Sequence, residues 1–186
     1  MNRTLVHILF VTAVLGLGLA IGYINIPDAW YRSLAKPDFT PPDWIFAPAW
    51  SLLYIMIGIA GARSFLGRRR AAGLSGDRRA AGLSGDRRAA GLLGDRRAAG
   101  LSGDRRAAQW PLWLAQMVLN FLWSPLFFGL HQIAAALVVI CLLLASIAAF
   151  IIASLRQDGI SALLFVPYLA WVAFATLLNG SIFLMN

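Results

Sequence analysis

Apolar residues run almost unbroken through five stretches of the chain, roughly 5–26, 44–66, 110–130, 133–155 and 160–185. Each is long enough to cross a hydrocarbon core, which takes about 20 residues. Lipid offers no partner to backbone N–H and C=O groups, so spans of this length and Leu/Ala/Ile composition must be helices. Strands of a membrane barrel would be about half as long and would alternate in polarity. The pattern therefore predicts an all-α membrane protein, a five-transmembrane-helix bundle. Arg3 ahead of the first run suggests a signal peptide. That run is longer than the usual apolar segment of one, and no small-residue cleavage site followed by a soluble domain comes after it, so we read it as a retained helix.

Composition agrees. Of 186 residues, 60% are hydrophobic and 13% charged, about half the charge of a soluble domain. An aromatic content of 12% excludes a disordered chain. The net charge of +8 looks like that of a nucleic-acid binder until it is located. Residues 68–108 hold eleven Arg and four Asp, while the remaining residues carry five Lys/Arg against four Asp. Cys141 is the lone cysteine, so no intrachain disulfide or cysteine-based metal cluster can form. Arg3, Arg63, Arg156 and the Arg-rich segment fall at one end of the five spans; Arg32 and Lys36, offset by Asp28, Asp38 and Asp43, fall at the other. Lys/Arg excess marks the cytoplasmic face. This predicts a multi-pass protein of a bacterial cell membrane with a cytoplasmic N-terminus and basic loop; an outer membrane would change the compartment names. Trp30, Tyr31, Trp44 and Trp110 stand at span ends, where amphipathic rings anchor at headgroup level.

From Arg69 the unit Arg-Arg-Ala-Ala-Gly-Leu-Ser-Gly-Asp repeats four times, with Leu93 replacing Ser in the third copy, and a truncated fifth copy ends at Ala108. Two glycines and one leucine per unit bury no core. We expect a disordered linker inserted in a single membrane domain. A polybasic patch on anionic lipid is the sharper alternative. Nucleic-acid binding is not expected, because the array lacks aromatic stacking groups.

The loop between the first two spans carries more information. Pro37, Pro41 and Pro42 stiffen it, Asp43 is a candidate N-cap beside Trp44, and Pro48 falls in the first turns of the next helix. Such an aromatic loop suits either a lid or packing on headgroups. Inside the spans, polar groups are costly and often mark a site. Gln116, Asn120 and Trp123 share one face of the third span; Trp171, Ala175, Leu178 and Asn179 share one face of the fifth; Trp50 and Tyr54 are so related in the second. Interhelical hydrogen bonding explains the amides equally well. Pro125 and Pro167 are expected to kink their helices, and Gly18/Gly22 and Ala145/Ala149/Ala153 permit close helix contacts. His7 and His131 sit near span ends without an evident acidic or metal-ligand partner. Charge relays, Walker patterns and dinucleotide glycine patterns are absent from the sequence.

Three segments, in order, resemble the TspO/MBR family. They are the loop from Trp30-Tyr31 to Trp50 with its Lys-Pro…Pro-Pro-x-Trp…Pro-x-Trp pattern, Gln116 to Gly129 (QMVLNFLWSPLFFG), and Pro167 to Asn179 (PYLAWVAFATLLN). The resemblance implies a five-helix bundle, usually a homodimer, with a ligand cavity closed by the loop between helices 1 and 2. It also implies porphyrin binding and, in many members, binding of cholesterol and synthetic benzodiazepine-site ligands. Bacterial members are linked to tetrapyrrole regulation, stress response and, in some cases, light-dependent porphyrin breakdown. The family's pocket positions map onto Trp50, Asn120, Trp123, Trp171, Ala175, Leu178 and Asn179. Trp30, Lys36, Pro41, Pro42 and Trp44 would form the lid. Two departures stand out: Asn179 is followed by Gly-Ser-Ile-Phe-Leu-Met-Asn, without the tyrosines and arginine of the family's cholesterol-recognition segment, and Ala134–Ala135 stand where a pocket aromatic is often found.

The expected function is sensing or transport of a flat hydrophobic ligand such as protoporphyrin IX, with membrane lipid around it and no tightly bound cofactor or metal. Porphyrin faces stack on indoles and Asn120 and Asn179 would supply the few polar contacts, with Arg32 and Lys36 near the propionates. The alternatives are photo-oxidative porphyrin degradation using Trp50 and Trp171, and a regulatory interaction protein acting through the basic loop.

Overall fold

The computed structural model describes the backbone of residues 2–83 and 93–186, and the side chains of residues 2–70 and 109–186. Six α-helices are described: α1 (Arg3–Ile24), the short α2 (Ala29–Ser33), α3 (Phe46–Leu83), α4 (Leu93–Ser124), α5 (Ile133–Ser154) and α6 (Gly159–Met185). Five of them contain spans long and apolar enough to cross a membrane. There is no strand among the described residues. α3 packs against α1, α4 and α6, while α5 packs against α4 and α6.

Burial divides each helix into an inward stripe and a lipid-facing surface. On α5, Ala136, Ile140, Leu143, Ile147 and Phe150 are buried at helical spacing, while Val138, Leu142 and Ile152 are exposed. Exposed aliphatics of this kind recur on α1, α4 and α6. In water they would form an aggregation surface; against lipid they need no cover. Close approach is set by glycine at Gly58, where an added Cβ would lie 2.7 Å from the Val11 backbone, so α1 and α3 cross nearly in contact. Gly18 similarly makes room for the Tyr54 ring, whereas Gly22 faces open space and serves no such contact.

Side-chain caps mark several helix starts. Asn2 accepts from Thr4 N, Asp28 from Tyr31 N, and Asp158 from Ser161 N, each satisfying a backbone donor that the first turn leaves open. The expected Asp43 cap is not formed. Asp43 instead opens a 3-10 turn, Asp43–Ile45, and has no capping role there. α3 follows directly, with Pro48 in its first turn, where its missing N–H costs nothing.

The array departs from expectation at both ends. α3 continues as far as Leu83 and α4 begins at Leu93, where a disordered loop over 68–108 was predicted. Arg, Ala and Leu, five of the nine residues in each unit, are strong helix formers. Each end also extends a helix already nucleated by a buried span, so the cost of a new nucleus does not arise. Residues 84–92 lie outside the described part.

Pro125 changes the helix type. α4 passes into a π-helical turn, Pro125–Gly129, closed by Leu130 N donating to Pro125 O at 2.8 Å. Proline has no N–H to offer the preceding turn, and such wide turns cluster at functional sites. His131 follows with φ of 58°, a left-handed conformation uncommon outside glycine.

Candidate functional site

The eight candidate pocket residues separate into two groups. Trp123, Ala175, Leu178 and Asn179 line a recess of about 30 Å³ between α4 and α6 at the end of the bundle covered by the first loop. Its other walls come from Tyr31, Phe46, Phe127, Phe128 and Ile182. Trp50, Tyr54, Asn120 and Trp171 do not line it.

The recess is aromatic on several sides. Trp123 stacks on Phe127 with ring centroids 5.5 Å apart, and Phe128 meets Phe127 edge-on at 4.9 Å. Two consecutive residues of one helix ordinarily point about 100° apart; the widened turn lets Phe127 and Phe128 both reach the recess. The polar contacts are few. Trp123 Nε1 donates to Asn179 Oδ1 at 3.1 Å, and Asn179 Nδ2 donates to Ile133 O at 3.3 Å. Asn179 is 2% exposed, so both ends of its amide are occupied in this closed state.

A second group lies behind the recess. Tyr54 Oη donates to Asn120 Oδ1 at 3.3 Å, Asn120 Nδ2 to Tyr168 Oη at 2.9 Å, and Tyr168 Oη to Gln116 Oε1 at 3.0 Å. Gln116 Nε2 then donates to Trp113 O at 2.9 Å. This network ties α3, α4 and α6 together at membrane depth, so Asn120 is committed to helix association. Trp50 stacks on Tyr54 at 5.3 Å and meets Tyr168 edge-on at 6.3 Å. Trp171 meets the recess wall at Phe46, whose ring lies 5.9 Å away edge-on.

Of the proposed lid residues, Trp30 closes against the bundle. Its ring stacks on His131 at 4.1 Å and meets Phe127 edge-on at 6.0 Å. His131 does have an acidic partner, contrary to expectation: its Nε2 lies 3.2 Å from Asp28 Oδ2. The pairing joins residues 103 positions apart, which no local pattern announces. Hydrogen bonding from the Tyr31 N–H, followed by the charge and hydrogen bond of His131, holds the Asp28 carboxyl below the usual carboxylate range. Lys36 Nζ sits 4.6 Å over the Tyr31 ring. Burial, with Asp43 adding to it, pushes the Tyr31 phenol up. Ala35 and Asn186 exchange two hydrogen bonds, each 3.0 Å, fastening the loop to the end of α6. Trp44, by contrast, is 73% exposed and points away from the recess, and Pro42 is exposed while Pro41 is half-buried.

Tyr31, Phe46, Phe127, Phe128 and Ile182 escaped sequence reasoning as site residues. The run Phe127-Phe128 after Pro125 was a usable signal, as was Ile182, three positions beyond Asn179 on the same face. Tyr168, three before Trp171, continues that face in the other direction.

A membrane-embedded five-helix bundle with an aromatic recess under an interhelical loop defines a class of integral membrane proteins built around a covered, mainly apolar site. The chain belongs to the TspO/MBR family, whose model matches residues 9–185. It is similar to Protein CrtK of Rhodobacter capsulatus, with 36% identity over 90% of this chain and 84% of the relative. It is also similar to the tryptophan-rich protein TspO of Archaeoglobus fulgidus (33%, covering 95% and 94%) and to the human translocator protein (31%, covering 81% and 70%).

Proposed function

We propose that this protein is a membrane sensor or translocator that binds a flat hydrophobic ligand, most readily a porphyrin such as protoporphyrin IX, in the recess beneath the first loop. The observation that carries this reading is a mainly aromatic recess covered by Tyr31 of the first loop, which side-chain contacts fasten, and by Phe46 at the start of α3. Relatives named tryptophan-rich sensory protein and translocator protein support the role. Binding requires opening. Pockets for drug-sized ligands measure about 300–1,000 Å³, and the closed recess of about 30 Å³ holds no more than a water or two. Ligand entry therefore displaces Tyr31 and Phe46, and exposes Trp123, Phe127 and Phe128 as stacking faces. Lys36, over the Tyr31 ring, is a cation at the rim for a propionate.

Porphyrin degradation through Trp50 and Trp171 draws less support, because neither ring reaches the recess directly. Regulation through the basic array draws none, since its side chains from residue 71 to 108 lie outside those described. With the N-terminus and array taken as cytoplasmic, the recess opens on the opposite side of the membrane.

The test is titration of detergent-solubilised protein with protoporphyrin IX in the dark, followed by tryptophan quenching. Saturable quenching, weakened in Trp123→Phe and weakened further in Ala175→Phe, is expected. Equal affinity in wild type and both variants would rule out this recess.

A further inference from the structure

We propose that the opposite, array-side end of the bundle holds a second binding site, for a hydroxyl-bearing phosphate ester. A polar cavity larger than the recess under the loop lies here. It measures about 260 Å³, against about 30 Å³ for the aromatic recess, and Arg3, His7, Arg63, Arg70, Gln157 and Asp158 line it. These side chains come from the start of α1, the middle of α3 and the α5–α6 turn, so the site exists only when the bundle is assembled.

Charge favours an anion. Among the described side chains three guanidiniums face one carboxylate, and that carboxylate is already committed to Arg63. Arg63 Nε lies 3.1 Å from both Asp158 oxygens and Nη2 lies 2.6 Å from Oδ1. The pair uses Nε and Nη2 and leaves Nη1 outside it. Asp158 also accepts from Ser161 Oγ at 2.6 Å and caps α6, so Arg63 is fixed in place with its charge balanced, and Arg3 and Arg70 supply the excess positive charge. His7 Nδ1 donates to Arg3 O at 2.8 Å, which leaves Nε2 of the neutral ring as an acceptor for a ligand hydroxyl and not as a donor to the anion. Several guanidinium forks around one cavity match phosphate geometry, since each presents paired N–H donors in a plane.

The hydroxyl requirement comes from Gln157. Its Oε1 is buried and has no hydrogen-bond partner. A buried acceptor left unpaired is costly, and an anion carrying only acceptor oxygens cannot satisfy it. Once a turn of the side chain brings Oε1 to the cavity that Gln157 lines, a phosphate ester with a neighbouring hydroxyl can donate to it while its phosphoryl oxygens accept from the arginines. The headgroup of phosphatidylglycerol and dissolved glycerol phosphate share this chemistry. Basic pockets between transmembrane helices are a known way of holding anionic headgroups.

The experiment is calorimetric titration of the full chain, in dodecyl maltoside free of phospholipid, with glycerol phosphate. Saturable binding is expected for wild type and for Arg32→Gln, whose arginine lies at the other end. Affinity about 25-fold weaker is expected for the Arg3→Gln/Arg70→Gln double variant, at roughly a fivefold loss for each arginine. Gln157→Leu should lose the preference for glycerol phosphate over methyl phosphate, which lacks the hydroxyl. Dihexanoyl phosphatidylglycerol is then added with dihexanoyl phosphatidylcholine as control. Displacement by the former alone identifies a lipid headgroup as the ligand, and no displacement identifies a soluble ester; either supports the site. Unchanged affinity in the double variant overturns the proposal, as does absence of saturable binding in wild type that still has its helical circular dichroism and porphyrin quenching.

Discussion

Tyr168→Phe separates the recess from the network behind it. The substitution deletes one oxygen from a side chain that is fully buried, and with it two hydrogen bonds, one accepted from Asn120 at 2.9 Å and one donated to Gln116 at 3.0 Å. Hydrogen bonds between membrane helices average about 0.6 kcal/mol and reach about 1.7. Two of them put the loss at about 1–3 kcal/mol. The upper half of that range is expected, because the Gln116 carbonyl, also fully buried, is left without a partner and an orphaned acceptor costs about 1–3 kcal/mol. For a chain of this size the corresponding drop in Tm is about 2–10 °C, read by tryptophan fluorescence in detergent. Protoporphyrin IX affinity should stay within about twofold, since Tyr168 does not line the recess. The asymmetry of hydrogen-bond deletion gives an internal control: adding Gln116→Leu removes the orphan and should restore part of the lost stability. An unchanged Tm, or a collapse of porphyrin binding at unchanged Tm, would refute the assignment of this network to helix association.

Four other outcomes follow from the geometry. Ala175→Phe fills a recess with no spare volume for a ring, so porphyrin affinity should fall at least about tenfold while overpacking costs about 1–3 kcal/mol; quenching and circular dichroism check both. His131→Ala removes the Trp30 stack and the Asp28 contact, and stopped-flow quenching should show faster porphyrin entry and exit. Burial of Asp158 raises its pKa, but Arg63 and Ser161 outweigh burial and leave it lowered. A carboxyl depressed on folding contributes stability above its unfolded pKa of roughly 4 and loses it as pH falls through the folded value, so Tm should decline below about pH 4 and Asp158→Asn should flatten that decline. Gly58→Ala brings a Cβ within 2.7 Å of the Val11 backbone and should lower stability by about 1–3 kcal/mol, measured as a fall in Tm with porphyrin affinity retained.

Much of the molecule was legible before folding, for a simple reason: a membrane imposes its thickness and its lack of hydrogen-bonding partners on every span. Length and apolarity alone therefore placed five membrane spans within a few residues of where they lie, while α3 and α4 run on beyond theirs. Helical spacing likewise grouped Trp123 with Asn120, and Ala175, Leu178 and Asn179 with Trp171. What spacing could not supply was rotation and partner. Asn120 and Trp123 share a face of α4, yet one binds Tyr54 and Tyr168 while the other closes on Asn179, because α6 runs along that face at both depths while α3 hydrogen-bonds to Asn120 alone of the two. Trp44 resembles a lid residue in sequence and turns outward because the 3-10 turn Asp43–Ile45 reorients the chain before α3. Phe128 enters the recess through the π-turn, Tyr31 through a loop that crosses the end of the bundle and Phe46 from the start of α3, and the pairing of Asp28 with His131 joins positions 103 apart. Local patterns determine which segments become helices and which of their faces are polar. Only tertiary packing decides which polar groups satisfy one another, how much space remains between them, and hence that the aromatic recess is closed while the arginine-lined cavity at the other end stands open.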